Sequence, residues 1–359
     1  MKTLRATGRK VDGEKDMLQS AEVRASRQIS DVRHGFNKVA GSPGFQLSLV
    51  DYDDMLEGAL SGRWTAVNVA STPTLGAVAS SHTFTRGAGS FTADGFRVGD
   101  WIVTTGFSNA QNNGTFLVTA VGTTTITVLQ TTLVDESNGT SKTLMIKGKR
   151  LSCGTTLLTY TFEQAFNDLA KYRVFKGVTV NTMDLNIQPA QMVGGTFGLI
   201  GMSFDPLASS PLDASPDAPS TNSPFSSFDG SLYEGGTLIA VVTGITLKLD
   251  NKRSVVPVVG SKYSPDVFEG SAVITGELTA FFQNATLLDK FVNETESNLW
   301  LRLNDLNGTD FMAINIPRLK YTGGMIDPPQ EGPVPLTLPF QCLEDSVTGT
   351  SLMIQRSNT

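Results

Sequence analysis

From residue 178 the chain reads VTVNTMDLNIQPAQMVGGTFGLIG, with Met183, Leu185 and Ile187 alternating with Thr182, Asp184, Asn186 and Gln188. Successive strand residues point to opposite faces, so this spacing predicts a strand with one face on a core and a polar, weakly charged face turned away. The alternation breaks at Pro189 and at Gly194–Gly195, then resumes. Strand patterns return in TLIAVVTGITLKLDN, SAVITGELTAFFQ, NLWLRLND, GTDFMAINIPRLKYT and VPLTLPFQCLED, and FQLSLV (45–50) alternates in the same way.

Helical spacing is rare. DYDDMLEGAL opens on acids suited to a helix N-terminus and sets Met55, Leu56, Ala59 and Leu60 on one side, which predicts a short helix ending near Gly62. NATLLDKFVNE (284–294) predicts a second, with Asn284 as N-cap and Leu287, Leu288 and Phe291 on one face. FEQAFNDLAKYRVF fits both a strand with a corner and a short helix. The expected body is mainly β, with one or two short helices flanking the sheet.

Two segments differ in texture. Residues 73–148 hold five short strand patterns, HTFTR, FRVGDWIVTTGF, NNGTFLVTAVG, TTTITVLQ and SKTLMIKGK, with Asn-Gly pairs at 113–114 and 138–139 that favour tight hairpin turns. This predicts a small all-β domain inserted into a body formed by 41–72 and 149–359. Residues 205–230 are rich in Pro, Ser and Asp and lack periodicity, which predicts a long loop.

Composition sharpens this picture. Thirty-five glycines and only 17% charged residues suit strands and turns. No apolar run reaches the length of a bilayer span, so a soluble protein is expected. The N-terminus MKTLRATGRKVDGEKD lacks the apolar core of a secretory signal. A reducing compartment and two buried thiols, Cys153 and Cys342, are therefore expected in place of a disulfide.

Charge is unevenly placed. Residues 1–40 carry nine Lys/Arg against five Asp/Glu, while the remainder carries 19 against 29, giving +4 and −10 within the total of −6. The first forty residues read as an extended basic arm whose interleaved charges favour docking on a neighbouring copy over binding nucleic acid.

Chemistry is scarce. The phosphate-binding, dinucleotide, HExxH and GxSxG motifs are missing, and two His with two Cys have no zinc-site spacing. Asp53–Asp54 read as solvated first-turn carboxylates, His34 as a hydrogen-bonded turn residue, and Asn307–Gly308 as a hairpin turn with only half the acids of a calcium loop. No catalytic, metal or cofactor site is expected, and the chain reads as a non-enzyme.

The arm and helix, MLQSAEVRASRQISDVRHGFNKVAGSPGFQLSLVDYDDMLEGAL, resemble the start of the tail tube (major tail) proteins of long-tailed double-stranded DNA bacteriophages, of siphophage type. The matching residues include Ser20, Glu22, Arg24, Arg27, Gln28, Asp31, Arg33, His34 and Gly35, then Asp53, Asp54, Leu56, Glu57, Ala59 and Leu60. YTFEQAFNDLAKYRVFKGVTVNTMDLNIQPAQMVGGTFGLIG resembles that family's central segment at Phe162, Glu163, Phe166, Asp168, Tyr172, Phe175, Gly177, Pro189, Gly195, Phe197 and Gly201. Ala25 and Gln46 depart from it, and 73–148 lies outside the basic pattern.

The resemblance implies a tail-tube β-sandwich or barrel fold and a structural role in the virion tail. Six subunits would close into rings that stack into a hollow tube conducting the genome, assembled in the host cytoplasm. It also implies partners: further copies, tape-measure, tail-tip and tail-terminator proteins, and duplex DNA passing without specific binding. Lumen-facing candidates are Thr182, Asp184, Asn186, Gln188, Glu277 and Thr279. Ring-to-ring candidates are Glu22, Arg24, Arg27, Asp31 and Arg33 in the arm, with Asp205, Asp213, Asp217, Phe225, Phe228 and Asp229 in the loop. The alternative is a virion adhesin or carbohydrate-binding protein acting through the inserted domain.

Overall fold

The computed structural model describes residues 1–8, 11–69, 74–239, 242–329 and 331–357. Residues 1–8 lie along the body, where Thr7 N–H donates to the Gly44 carbonyl at 2.9 Å. Strands β1 (Val11–Gln19) and β2 (Val32–Gly41) then pair as an antiparallel hairpin with its tip at 20–31. Its root is fixed by a close approach: a Cβ on Gly13 would sit 2.2 Å from the Phe204 ring. Only glycine lets that ring lie flat on the strand.

After β3 (Gly44–Gln46) comes α1 (Asp53–Leu60), whose Met55, Leu56, Ala59 and Leu60 are buried as their spacing predicts. It stops at Ser61, which takes a left-handed φ of 52°. The carbonyls that a helix leaves unpaired at this end need donors. Arg253 supplies them to Gly58 (2.9 Å) and continues to Ser61 Oγ and Thr179 Oγ1, while Asn251 Nδ2 reaches Ala59 at 2.9 Å. A guanidinium also suits the negative end of the helix dipole.

Residues 75–146 build a second sheet with its own core. Its strands are β4 (Leu75–Val78), β5 (Thr83–Arg86), β6 (Trp101–Thr105), β7 (Gly114–Val121), β8 (Thr125–Val128), β9 (Glu136–Gly139) and β10 (Thr143–Ile146), ordered β10-β6-β7-β8-β5-β4-β9. The short helix α2 (Phe91–Asp94) lies between β5 and β6, and Phe84, Phe91, Ile102, Phe116 and Ile126 fill the interior. Neither Asn-Gly pair forms the expected tight turn. Asn113 instead braces an eight-residue loop, donating to the carbonyls of Phe107 and Asn109, and Asn138–Gly139 end β9 against β4. A long loop pinned by one amide replaces the local turn, and dipeptide propensity carries no information about that.

Glu136 ties this domain together. Its carboxylate accepts from the N–H groups of Ser108 (2.9 Å) and Asn109 (3.1 Å), from Asn112 Nδ2 (3.0 Å) and from Lys142 Nζ (2.9 Å). Burial alone would raise its pKa, but Lys142 and these donors hold it down at about 2. A depressed folded value contributes stability above the unfolded carboxylate range that is lost as pH falls from about 4.5 towards 2. Glu136→Gln is expected to destabilise the domain by about 1–3 kcal/mol. It should also flatten the acid limb of the unfolding profile; identical profiles for both proteins would contradict the assignment.

The body resumes with β11 (Lys149–Ser152), β12 (Tyr160–Phe166), β13 (Lys171–Ile187), β14 (Gly194–Gly201) and β15 (Ser203–Phe204). The ambiguous FEQAF segment is therefore a strand, joined to β13 through a turn at 167–170. Then come β16 (Gly230–Glu234), β17 (Thr237–Leu238), β18 (Val242–Asp250), β19 (Ser254–Val255), β20 (Val267–Phe268), β21 (Val273–Phe281) and α3 (Thr286–Val292). β22 (Ser297–Asn304), β23 (Phe311–Tyr321), β24 (Met325–Ile326), β25 (Pro335–Cys342) and β26 (Met353–Arg356) complete the chain. The architecture is mainly β with short flanking helices, as expected. Helix α3 packs Leu287, Leu288 and Phe291 on the core, and Asn284 Oδ1 accepts from Thr286 N–H one residue before the cap position, Ala285.

Strands β14-β13-β18-β21-β25 form one antiparallel run, and β25 passes to β23, which pairs with β22 and β26. Inward side chains of both parts, among them Met183, Leu247, Leu278, Leu338, Leu303 and Ile314, share a single core. The inserted sheet is bolted to this body. Trp101 and Leu117 pack with Trp300 and Phe311 in a common apolar cluster, and Arg302 lies 4.4 Å over Trp101 and 4.3 Å over Phe311. Gln355 pairs both ways with the Trp101 backbone at 2.8 and 2.7 Å, and Asn315 Nδ2 donates to the Val98 carbonyl.

Candidate assembly surfaces

The register of the five-stranded run decides what shares its outer face. Asp184 stands opposite Lys248 and Thr182 opposite Asp250; Thr246 faces Glu277, and Gly244 faces Thr279. Because Met183, Leu185, Leu247, Leu249, Ile274 and Leu278 point into the core, their neighbours all point out. Thr182, Asp184, Asn186, Glu277 and Thr279 thus lie on one side of one sheet. Gln188 lies just beyond β13, where a Cβ on Gly244 would sit 2.9 Å from its Nε2, so its side chain crosses the same face. Charges here are few: Asp184, Asp250 and Glu277 against Lys248. Thr246, Lys248 and Asp250 escaped the sequence reading. Their strand alternates visibly, but its pairing to β13 across sixty residues does not.

The arm residues spend their charge locally. Arg24 pairs with Glu22 (2.9 Å) and Arg33 with Asp31 (3.1 Å), while Arg27 occupies the tip turn at φ 57°. Exposed pairs of this kind contribute little stability. What the hairpin offers outward is apolar as well as charged: Met17, Leu18, Val23 and Ile29 are all exposed.

The loop candidates separate into groups. Asp213 holds the Met1 amino group, and Asp217 accepts Thr3 Oγ1 on its carbonyl while its N–H donates to Met1. Hydrogen bonding to Asp213 raises the pKa of that amine. Asp205 pairs with Lys176 at 2.6 Å. Of the loop acids, Asp213 thus meets the first residue of its own chain and Asp205 meets β13. Phe225 is a correction to its reading as a contact residue: it is buried in the core, where its N–H donates to Leu47 and its carbonyl accepts from Val193. Phe228 is exposed, and the Asp229 carbonyl accepts Asn304 Nδ2.

Asp53 is not the solvated carboxylate expected. It is buried against Arg356 at 2.8 Å, and burial pushes its pKa up to about 6 despite that guanidinium. Asp54 turns instead to Lys2 at 3.3 Å, so the two acids do not converge. His34 is an exposed residue of β2, not a turn residue. Both cysteines are free; Cys342 is buried and Cys153 half-buried. Among the described residues no group of His, Cys, Asp and Glu could hold a metal ion, and no helix is long and apolar enough to cross a membrane.

The five-stranded run thus presents one polar, sparsely charged face, and among the described residues no metal-holding cluster lies on it. A family model described as phage tail tube protein matches residues 2–342. The chain belongs to the phage tail tube family. The comparison with curated proteins gives no match. Family membership makes this a structural subunit of a tail tube, located in the virion tail and built to assemble with further copies.

Proposed function

We propose that six copies close into a ring whose β14-β13-β18-β21-β25 faces join into one barrel around a channel, and that stacked rings conduct the phage genome to the host. Tail-tip, tail-terminator and tape-measure proteins are the partners at the ends and in the bore. The siphophage type and assembly in the host cytoplasm follow from the same reading. One observation carries it. The face bearing Asp184, Asn186, Thr246 and Glu277 is continuous and polar, but it has little positive charge. Each phosphate contact adds a salt-dependent affinity, so a lysine-rich lining would hold DNA at every ring. This one lets it slide.

Electron microscopy of the purified protein tests the reading: hollow tubes or rings are expected, and dispersed particles under all conditions would refute it. The arm hairpin is read as a ring-to-ring contact. Residues 1–8 pack on their own body, so removing 1–30 would also strip a core-bracing segment. Replacing the tip, 20–31, with a short turn is the cleaner test. Shortened tubes or isolated rings are expected, and tubes of normal length would remove the arm from the contact.

A further inference from the structure

The five-stranded run has two ends of different character. At one end lie Asp250 and Val273, joined by the segment 251–272 that contains the β19–β20 hairpin. This segment reads SVVPVVGSKYSPDVF from 254 to 268, and it is apolar where it should be wet. Val256, Val258, Tyr263 and Phe268 are exposed, and Val259 is completely so at 106%. The segment is not loose, because Lys262 accepts the Asn37 N–H at 2.8 Å and Ser264 Oγ ties Val256 N–H to the Asp266 carbonyl. Valine, proline and phenylalanine held rigidly in water mark a contact surface.

The opposite end of the same strands carries a second apolar patch. Phe281 ends β21, and Met325 and Ile326 of β24 pair beside the start of β25; all three are exposed. Met192 follows the end of β13 and bridges to Ser226, which brings exposed Phe228 to this end. Nine-residue strands separate the two patches by about 30 Å at roughly 3.3 Å per residue.

We infer that these patches bind each other between copies: the 254–268 segment of one subunit seats on the Met192, Phe228 and Phe281 end of a subunit in the next ring. The occupant is a second copy because the two surfaces differ and face opposite ways along one strand direction. A contact between unlike patches repeats head-to-tail and does not close on itself, which is what growth along an axis requires. The inference rests on the ring-and-tube reading and adds a second stacking surface to that of the arm hairpin. It also explains why the charged pairs of the arm are satisfied internally: the stacking contact is mainly apolar.

Val259→Asp is the test, since a fully exposed residue tolerates the change in the subunit itself. Thermal unfolding of the unassembled variant should match that of the parent. Tube formation should fall by about tenfold or more, because each ring repeats the loss of a buried apolar contact. Rings should persist, and Phe228→Asp should reproduce the effect from the other side. Tubes of normal length from both variants would overturn the inference. A paired variant, Val259→Cys with Phe228→Cys, should form disulfide ladders in assembled tubes; links only between two copies of position 259 would overturn it as well. If the parent protein forms neither rings nor tubes, the ring-and-tube reading fails and this inference falls with it.

Discussion

Arg150→Met is expected to lower stability by about 3–5 kcal/mol, because it leaves Asp100 as a buried charge without its partner. Asp100 is 1% exposed and Arg150 5%. The guanidinium reaches both carboxylate oxygens at 2.8 and 2.6 Å and gives its second nitrogen to the Gly95 carbonyl at 2.9 Å. Arg150 belongs to β11 of the body and Asp100 immediately precedes β6 of the inserted sheet, so this pair fastens one to the other. The double variant Arg150→Met with Asp100→Leu removes both charges and should recover most of the loss, since paired buried ions are often replaceable by apolar groups of similar size. Calorimetric unfolding of the parent, single and double variants checks this. A single variant within about 1 kcal/mol of the parent would show that water reaches Asp100 and that the clamp lies elsewhere.

That clamp also bears on what the inserted domain is for. A module acting as a tethered adhesin gains from free reorientation, whereas this one is fixed by an apolar cluster, a buried ion pair and two-way pairing through Gln355. A close approach supports the fit: Gly99 takes a φ of 87°, and a Cβ there would meet Asn315 Nδ2 at 1.8 Å. Such rigid seating is what a tethered binder would lack. Excising 73–148 behind a short linker should expose Trp300 and Phe311 and cause aggregation; clean tubes from that variant would show that assembly does not need the inserted sheet.

Legibility in the sequence follows the range of the interaction. Helix α1 is readable because Met55, Leu56, Ala59 and Leu60 face one way within two turns, and the second half of β13 because residues 182–187 alternate, whereas its first half lies in the ambiguous segment. Asp53 was misread because Arg356, which buries it, lies three hundred residues on. Met1 meets Asp213 of its own chain across more than two hundred residues, and nothing in the sequence says so. Phe225 sat in a proline-rich stretch without periodicity, yet it extends the pairing beside Leu47 into the core. The polar face was half visible: its residue types were clear, while Lys248 and Asp250 joined it only through strand pairing.

Charge on that face sets the last expectation. Phage carrying Asn186→Lys and Glu277→Lys should assemble and adsorb normally, since both positions are exposed and lie on regular strands. Duplex DNA presents one charge per about 1.7 Å, so two added cations per subunit repeat down the whole bore against a continuous polyanion. Infectivity should fall by about tenfold or more, and genome release triggered in vitro should slow and become steeply salt-sensitive, with high salt restoring the rate. Lysine at Val259 gives the control that separates mechanisms, because it would reduce tube length without changing the salt dependence of release from the tubes that form. Unchanged release at low salt in the double variant would mean that DNA never meets this face. The channel would then have to be assigned to another side of the sheet.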